Sequence, residues 1–299
     1  MRTIYWTKPT ESGLGDRLSD ILFMAAYAKL HESNLLLTWT IYRGHEKQET
    51  RSLDPSFRYV DSQLENVKRY IKFPSNVRVE PYVVVEGCKT KDWIINQEEL
   101  RLIRLNYPTF EWALGGGTDP KRFWMSYCKD KISTFNEFQK VVDSIAGEFG
   151  FCDEINEHLS KLPDRFASFH IRRGDKVRGG EIDGMHIHSN EIEELNALTY
   201  KCLDVFCDRY DHFFLCGDQD EKKQEFVDYL LSKGENLVTI PNGLEKWQQT
   251  YFDIATMTKS AINVTSNRYS AFSRFPAMIG NRKYKSVFQL EEEEYDEDK

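Results

Sequence analysis

Apolar positions along the chain recur in two rhythms, and the alternation between them predicts an α/β protein. Arg2 to Trp6 is a short apolar run, followed by the polar loop TKPTESGLG and then by DRLSDILFMAAYAKL. In that segment Leu18, Ile21, Leu22, Ala25 and Ala28 fall on one face of a helix. A second apolar run, Leu35 to Trp39, comes next. Strand, helix and strand in this order form a βαβ unit, which predicts a parallel sheet. From about Tyr42 to Pro120 the rhythm weakens, with strands expected only in NVRVEPYVVV. Helical period returns in STFNEFQKVVDSIAGEF, where Thr134 and Glu137 have capping-box spacing, and again in CDEINEHLSKL before Pro163.

A more regular series follows. RFASFHI, HFFLCGD, NLVTIP and AINVT read as strands, and EIEELNALTYKCLDVFCDRY, EKKQEFVDYLLSKG, KWQQTYFDIATMTKS and YSAFSRFPAMIG read as the helices between and after them. Each strand is short and almost continuously apolar, as expected when helices cover both faces of a sheet. The second half is therefore expected to be a doubly wound α/β domain, in which ligands bind outside the carboxyl ends of the strands.

Composition narrows the class without changing this picture. The 299 residues give room for two domains. A formal net charge of -8 argues against bulk nucleic-acid binding, and much of the acidity lies in the terminal EEEEYDEDK, which reads as a solvated tail. Six cysteines without a CxxC pair predict neither a zinc site nor a disulfide framework. With no signal peptide or membrane span read from the sequence, the expectation is a cytoplasmic protein lacking an integral membrane segment. Asn263-Val264-Thr265 fits the acceptor pattern for N-glycosylation, which a cytoplasmic chain does not meet.

The candidate chemistry gathers at strand ends. SFHIRRGDKVRGGE concentrates positive charge where a buried strand stops. Successive residues leaving a strand point to opposite sides, so one of Arg172 and Arg173 faces ligand and the other is neutralised, with Asp175 the nearest partner. A guanidinium there grips a phosphate or carboxylate through two parallel hydrogen bonds. Its structural alternative is an ordinary buried Arg–Asp pair. Asp218 and Asp220 end another strand, Asp253 lies on a helix, and Thr265, Ser266 and Asn267 stand between a strand and a helix start. The last arrangement suits an anion, because the first N–H groups of a helix are unpaired, or else reads as plain N-capping by Ser266 or Asn267. An arginine fork and a helix N-terminus on adjacent strands point to a diphosphate.

In order and spacing, HIRRGDKV, FFLCGD and DIATMTKSAINVTSNRYSAFSR resemble the three peptide motifs of the α1,2-, α1,6- and O-fucosyltransferase superfamily. The α1,6 branch is the nearest, and SGLGDRLSDILFMAAYAKLHESNLLLTW resembles the opening loop and helix of its bacterial nodulation member. The resemblance spans roughly residues 5 to 40 and 165 to 280. It implies a GT-B architecture of two facing Rossmann-like domains: 1–163 on the acceptor side, 164–285 holding the nucleotide sugar, and 286–299 as the acidic tail. It also implies an inverting, metal-independent enzyme with no cofactor, moving fucose or a related deoxyhexose from a GDP-sugar, with GDP-fucose as donor substrate, to a glycan hydroxyl.

Carried over by motif, Arg172 would bind the β-phosphate with help from Ser266 or a neighbour, while His170 and Asp253 would contact the guanine. Asp175 would support the motif, and Lys176 and Glu181 would lie near the acceptor hydroxyl. Two departures stand out: Gly174 replaces the threonine of the α1,6 enzymes, and Glu181 is offset by one residue from the family glutamate. Glu181, Asp16 and Asp218, in that order, are the candidate general bases. Gly13 and Gly15 would let the backbone approach the diphosphate from the first domain. Two alternatives remain: a metal-dependent enzyme using Asp218-Gln219-Asp220 as a DxD motif, and a non-catalytic nucleotide-sugar or glycan-binding protein.

Overall fold

The computed structural model of the chain describes residues 2–7, 14–39, 64–81, 110–112, 120–172, 192–267 and 270–290. These divide into two compact units, one ending at Cys152 and the other beginning at Asp153.

The first unit opens with the expected βαβ: β1 (Arg2–Thr7), α1 (Leu14–Leu30) and β2 (Ser33–Trp39). It continues with α2 (Leu64–Tyr70), β3 (Ile71–Lys72), β4 (Val77–Pro81) and β5 (Phe110–Trp112). Then come α3 (Pro120–Phe123), which runs into a π-helical turn at Trp124–Cys128, α4 (Phe135–Ala146) and β6 (Gly150–Phe151). Its main sheet has the order β4-β2-β1-β5 with every pair parallel, while β3 and β6 form a separate antiparallel ribbon. α1 is covered on more than the one face its spacing predicts, since Arg17, Ser19 and Asp20 are buried along with Leu18, Ile21 and Leu22. The capping box of α4 is present: Thr134 Oγ1 accepts the Glu137 N–H at 3.3 Å, and the Glu137 carboxylate accepts the Thr134 N–H at 3.2 Å.

The second unit alternates helix and strand throughout: α5 (Asp153–Leu159), β7 (Ala167–Ile171), α6 (Ile192–Cys207), β8 (His212–Gly217), α7 (Asp220–Ser232) and β9 (Asn236–Val238). α8 (Lys246–Lys259), β10 (Ile262–Thr265), α9 (Ala271–Ile279), β11 (Lys283–Ser286) and a 3-10 turn at Val287–Leu290 complete it. The five strands are all parallel, in the order β11-β10-β7-β8-β9. Alternation along the strands sorts the core into two layers. Phe169, Ile171, Phe213 and Val264 pack toward Leu203 of α6 and Phe226 of α7. Phe166, Phe214 and Cys216 face Met257 of α8 and Phe272 of α9. α7 stops in a Schellman motif, with Gly234 at φ 85° while the Glu235 N–H reaches the Leu230 carbonyl at 3.1 Å and the Gly234 N–H reaches Leu231 at 3.0 Å.

This strand order fixes where a ligand can enter. The chain runs from β7 through β8 to β9 on one side, then returns across the sheet to place β10 on the other side of β7. The switch point therefore lies between the carboxyl ends of β7 and β10. No described helix is long and apolar enough to cross a membrane.

Candidate functional site

Arg172 and Ser266 are the first residues beyond β7 and β10, so both stand at the switch point. They are locked together through the backbone: the Ser266 N–H donates to the His170 carbonyl at 3.0 Å, and the Arg172 N–H donates to Ser266 Oγ at 3.1 Å. The parallel ladder is thus extended by one residue, with a serine hydroxyl replacing the next carbonyl. Alternation that puts His170 on the α8/α9 side of the sheet carries Arg172 to the same side.

Thr265 pairs with His170 across the ladder and shares its face. The hydroxyl of Thr265 and the side-chain amide nitrogen of Asn267 are buried and have no hydrogen-bond partner among the described residues. Leaving such a group unmade costs about 1–3 kcal/mol, and two of them stand together at the carboxyl end of β10. Next to them begins α9. Its N-cap is Ser270, which corrects the reading of Ser266 or Asn267 as the cap, and Ser270 makes no side-chain cap bond. Its hydroxyl instead lies 3.0 Å from His170 Nδ1, while the His170 ring packs against Phe272 with centroids 4.9 Å apart. The first N–H groups of α9 are therefore left without a side-chain cap, at the positive end of a helix dipole.

The neighbouring corner, at the end of β8, is carboxylate-rich. The Asp218 N–H donates to the Ile171 carbonyl at 3.3 Å, continuing the β7–β8 ladder. That approach requires a glycine just before it, since a Cβ on Gly217 would stand 2.3 Å from the Ile171 oxygen. Across the corner, Met257 of α8 touches Cys216, Sδ to Sγ at 3.9 Å, and Asp253 lies one turn earlier on the same helix face. Burial lifts the Asp253 carboxyl to about 7, Lys223 works against this and Asp220 adds to it. Asp220 itself is held below the usual carboxylate range: burial opposes that shift, but Lys223 at 3.4 Å and Lys246 at 3.3 Å outweigh it.

The structure thus gathers His170, Arg172, Asp218, Asp253, Thr265, Ser266 and Asn267 along one carboxyl edge. Gly15 belongs to the first unit, buried in the first turn of α1 where its carbonyl accepts Ser19 Oγ at 2.9 Å; the loop expected to include it ends earlier. Asp175, Lys176, Glu181 and Gly13 lie outside the described residues. Asn263 is wholly buried: its amide nitrogen donates to the Met257 carbonyl at 3.0 Å, and its oxygen is met by Ser168 and by Ser260, the latter at 3.0 Å. Ser270 and Lys223 escaped the sequence reading. The serine carried a signal, since it directly precedes the helix; the lysine carried none, because only packing brings it to this corner.

No protein-family model matches the sequence, and no curated protein sequence matches it significantly. Among solved structures the fold is GT-B: it is similar to that of NodZ alpha-1,6-fucosyltransferase soaked with GDP-fucose, at TM-score 0.51 and 13% identity over 93% of this chain and 92% of that one. Lower-scoring similarities, both at TM-score 0.47 and 14% identity, are to fucosyltransferase NodZ from Bradyrhizobium (92% and 91% covered) and to POFUT1 in complex with GDP-fucose (95% and 97% covered).

Proposed function

We propose that the chain is an inverting, metal-independent fucosyltransferase that takes its sugar from GDP-fucose and gives it to a glycan hydroxyl. The observation that carries this is the pair of buried groups on Thr265 and Asn267 that have no partner among the described residues, near Arg172 and the start of α9 at the switch point. A diphosphate supplies acceptors for such donors, and the NodZ structure soaked with GDP-fucose supports that compound as the one that brings it.

In the reaction, the acceptor oxygen bonds to the anomeric carbon as the bond from that carbon to the β-phosphate oxygen breaks. The electron pair stays on the phosphate, where Arg172 and the N–H groups of the first turn of α9 meet it. Asp253 accepts from the guanine N1–H and amine, and His170, tethered to Ser270, closes the base side. The proton of the acceptor hydroxyl passes to a carboxylate, for which Glu181 is the first candidate. A DxD metal site at Asp218-Gln219-Asp220 is disfavoured because an ammonium engages each oxygen of Asp220.

A thermal-shift and calorimetry panel of GDP, GDP-fucose, UDP and UDP-sugars, with and without EDTA, tests this reading. GDP compounds should stabilise the protein, chelator should change nothing, and NMR of the product should show the inverted anomer. Stabilisation by UDP compounds alone, or activity abolished by EDTA, would sink it.

A further inference from the structure

The serine that opens α9 does not use its hydroxyl on the helix. At an N-cap a serine oxygen ordinarily accepts an N–H from the second or third helical residue, and Ser270 makes no such bond. Its main chain is held from β11 instead, where the Ser270 N–H donates to Tyr284 Oη at 3.0 Å. The side chain is wholly buried, with Oγ 3.0 Å from His170 Nδ1, and among the described residues that nitrogen is the one partner of the hydroxyl. A hydroxyl carries one proton and a neutral imidazole nitrogen either donates or accepts, so satisfaction decides the direction of this bond. If Ser270 accepted from Nδ1–H, its own proton would be left in the interior with no acceptor. Donation from Ser270 to Nδ1 satisfies both atoms, and the ring proton then sits on Nε2. Phe272, in the first turn of α9, packs against the same ring with centroids 4.9 Å apart.

We propose that Ser270 is a positioning residue: by donating to Nδ1 it holds His170 as the neutral Nε2–H tautomer, and so gives the site a hydrogen-bond donor for the N7/O6 edge of guanine. The inference rests on the reading of His170 and Asp253 as the guanine contacts. The two side chains then divide the base between them. A carboxylate takes N1–H and the exocyclic amine, which are both donors, and Nε2–H answers O6 and N7, which are both acceptors. Adenine places an amine where guanine has O6, so a donor fixed on this ring discriminates against it. The opposite tautomer would turn a bare nitrogen toward two acceptors and lose the contact. Because the same serine leaves the first N–H groups of α9 without a side-chain cap, one residue serves the base end and the phosphate end of the donor.

The test uses the full chain as wild type, Ser270→Ala and His170→Gln. Nitrogen-15 NMR of ring-labelled histidine in the free protein, with the His170 signals identified by their loss in His170→Gln, should show a bare Nδ1 and a protonated Nε2. A proton on Nδ1 overturns the proposal in the wild-type protein alone. In Ser270→Ala the two nitrogens should move toward the averaged shifts of exchanging tautomers. Calorimetry then reads the base, because 6-thio-GDP weakens one acceptor of the N7/O6 edge and 7-deaza-GDP removes the other. Wild type should bind at least one of these analogues roughly three- to tenfold more weakly than GDP, and Ser270→Ala should lose most of that difference. If wild type binds both analogues as it binds GDP, or if Ser270→Ala weakens GDP and UDP alike with the analogue ratios intact, the serine only packs the fold and the proposal fails. Equal binding of GDP and UDP by wild type overturns the guanine reading itself, while the nitrogen spectrum still reports whether Ser270 sets the ring proton.

Discussion

Two polar side chains of β10 lie two residues apart on the same face of the same strand, and their surroundings are opposite. Asn263 has its amide nitrogen on the Met257 carbonyl and its oxygen enclosed by Ser168 and Ser260, which ties β7, β10 and the end of α8 together. Thr265, equally buried, has a hydroxyl with no partner among the described residues, and Asn267 repeats the condition just beyond. Position along the strand separates them: the first lies within β10 and the second at its carboxyl end. A satisfied cluster holds the fold, whereas an unsatisfied one at a switch point leaves polar groups open to the diphosphate we propose.

The largest expected effect sharpens the open end of this contrast. Arg172→Lys keeps the charge but loses the fork, and fucosyl transfer from GDP-fucose should drop about a hundredfold or more, on the order of 3 kcal/mol of barrier. Unfolding by urea should be nearly unchanged. Asn263→Ala probes the closed end: with two serine hydroxyls stripped of their acceptor and a void left behind, urea titration should show a loss of roughly 3 kcal/mol. GDP should still bind whatever fraction remains folded. A nucleotide-binding defect without a stability defect would break the comparison.

Thr265→Val is the mirror experiment. Removing an unsatisfied hydroxyl should leave stability unchanged or raise it by up to about 1 kcal/mol, while GDP affinity by calorimetry falls about fivefold. The remaining effect is a slope with pH. The folded-state carboxyl of Asp253 lies above its unfolded value of 3.8, so its contribution is fully present below that pH and is lost as pH rises through about 7. Asp253→Asn should therefore gain stability relative to wild type across that window and level off above it, as read from melting temperatures over pH.

Much of the second unit was legible because both faces of its sheet are covered: HFFLCG and INVT are apolar runs that fit little else. β11 was missed for the complementary reason. As an edge strand it is built from Lys-Tyr-Lys-Ser, and lysines guard an edge at the expense of the apolar run that would announce it. In the first unit, β5 and the β3–β6 ribbon are three and two residues long, too short to show a period. At the site, Arg172 and Ser266 could be read from their place after strands, and Asp253 from its motif. The cap at Ser270 was misplaced by a few residues, since several small polar residues compete there and only the backbone path decides. That Asp253 and Lys223 share a corner depends on how α7 and α8 pack, which local pattern does not encode.

Asn263 also heads an acceptor tripeptide, and its position makes a sugar-bearing and a native β10 mutually exclusive. The strand is inserted between β7 and β11 with that amide turned toward α8. An oligosaccharide attached as the chain emerged would act as a wedge under the helix, so a chain routed through a glycosylating secretory pathway has to complete this sheet before the transferring enzyme reaches it.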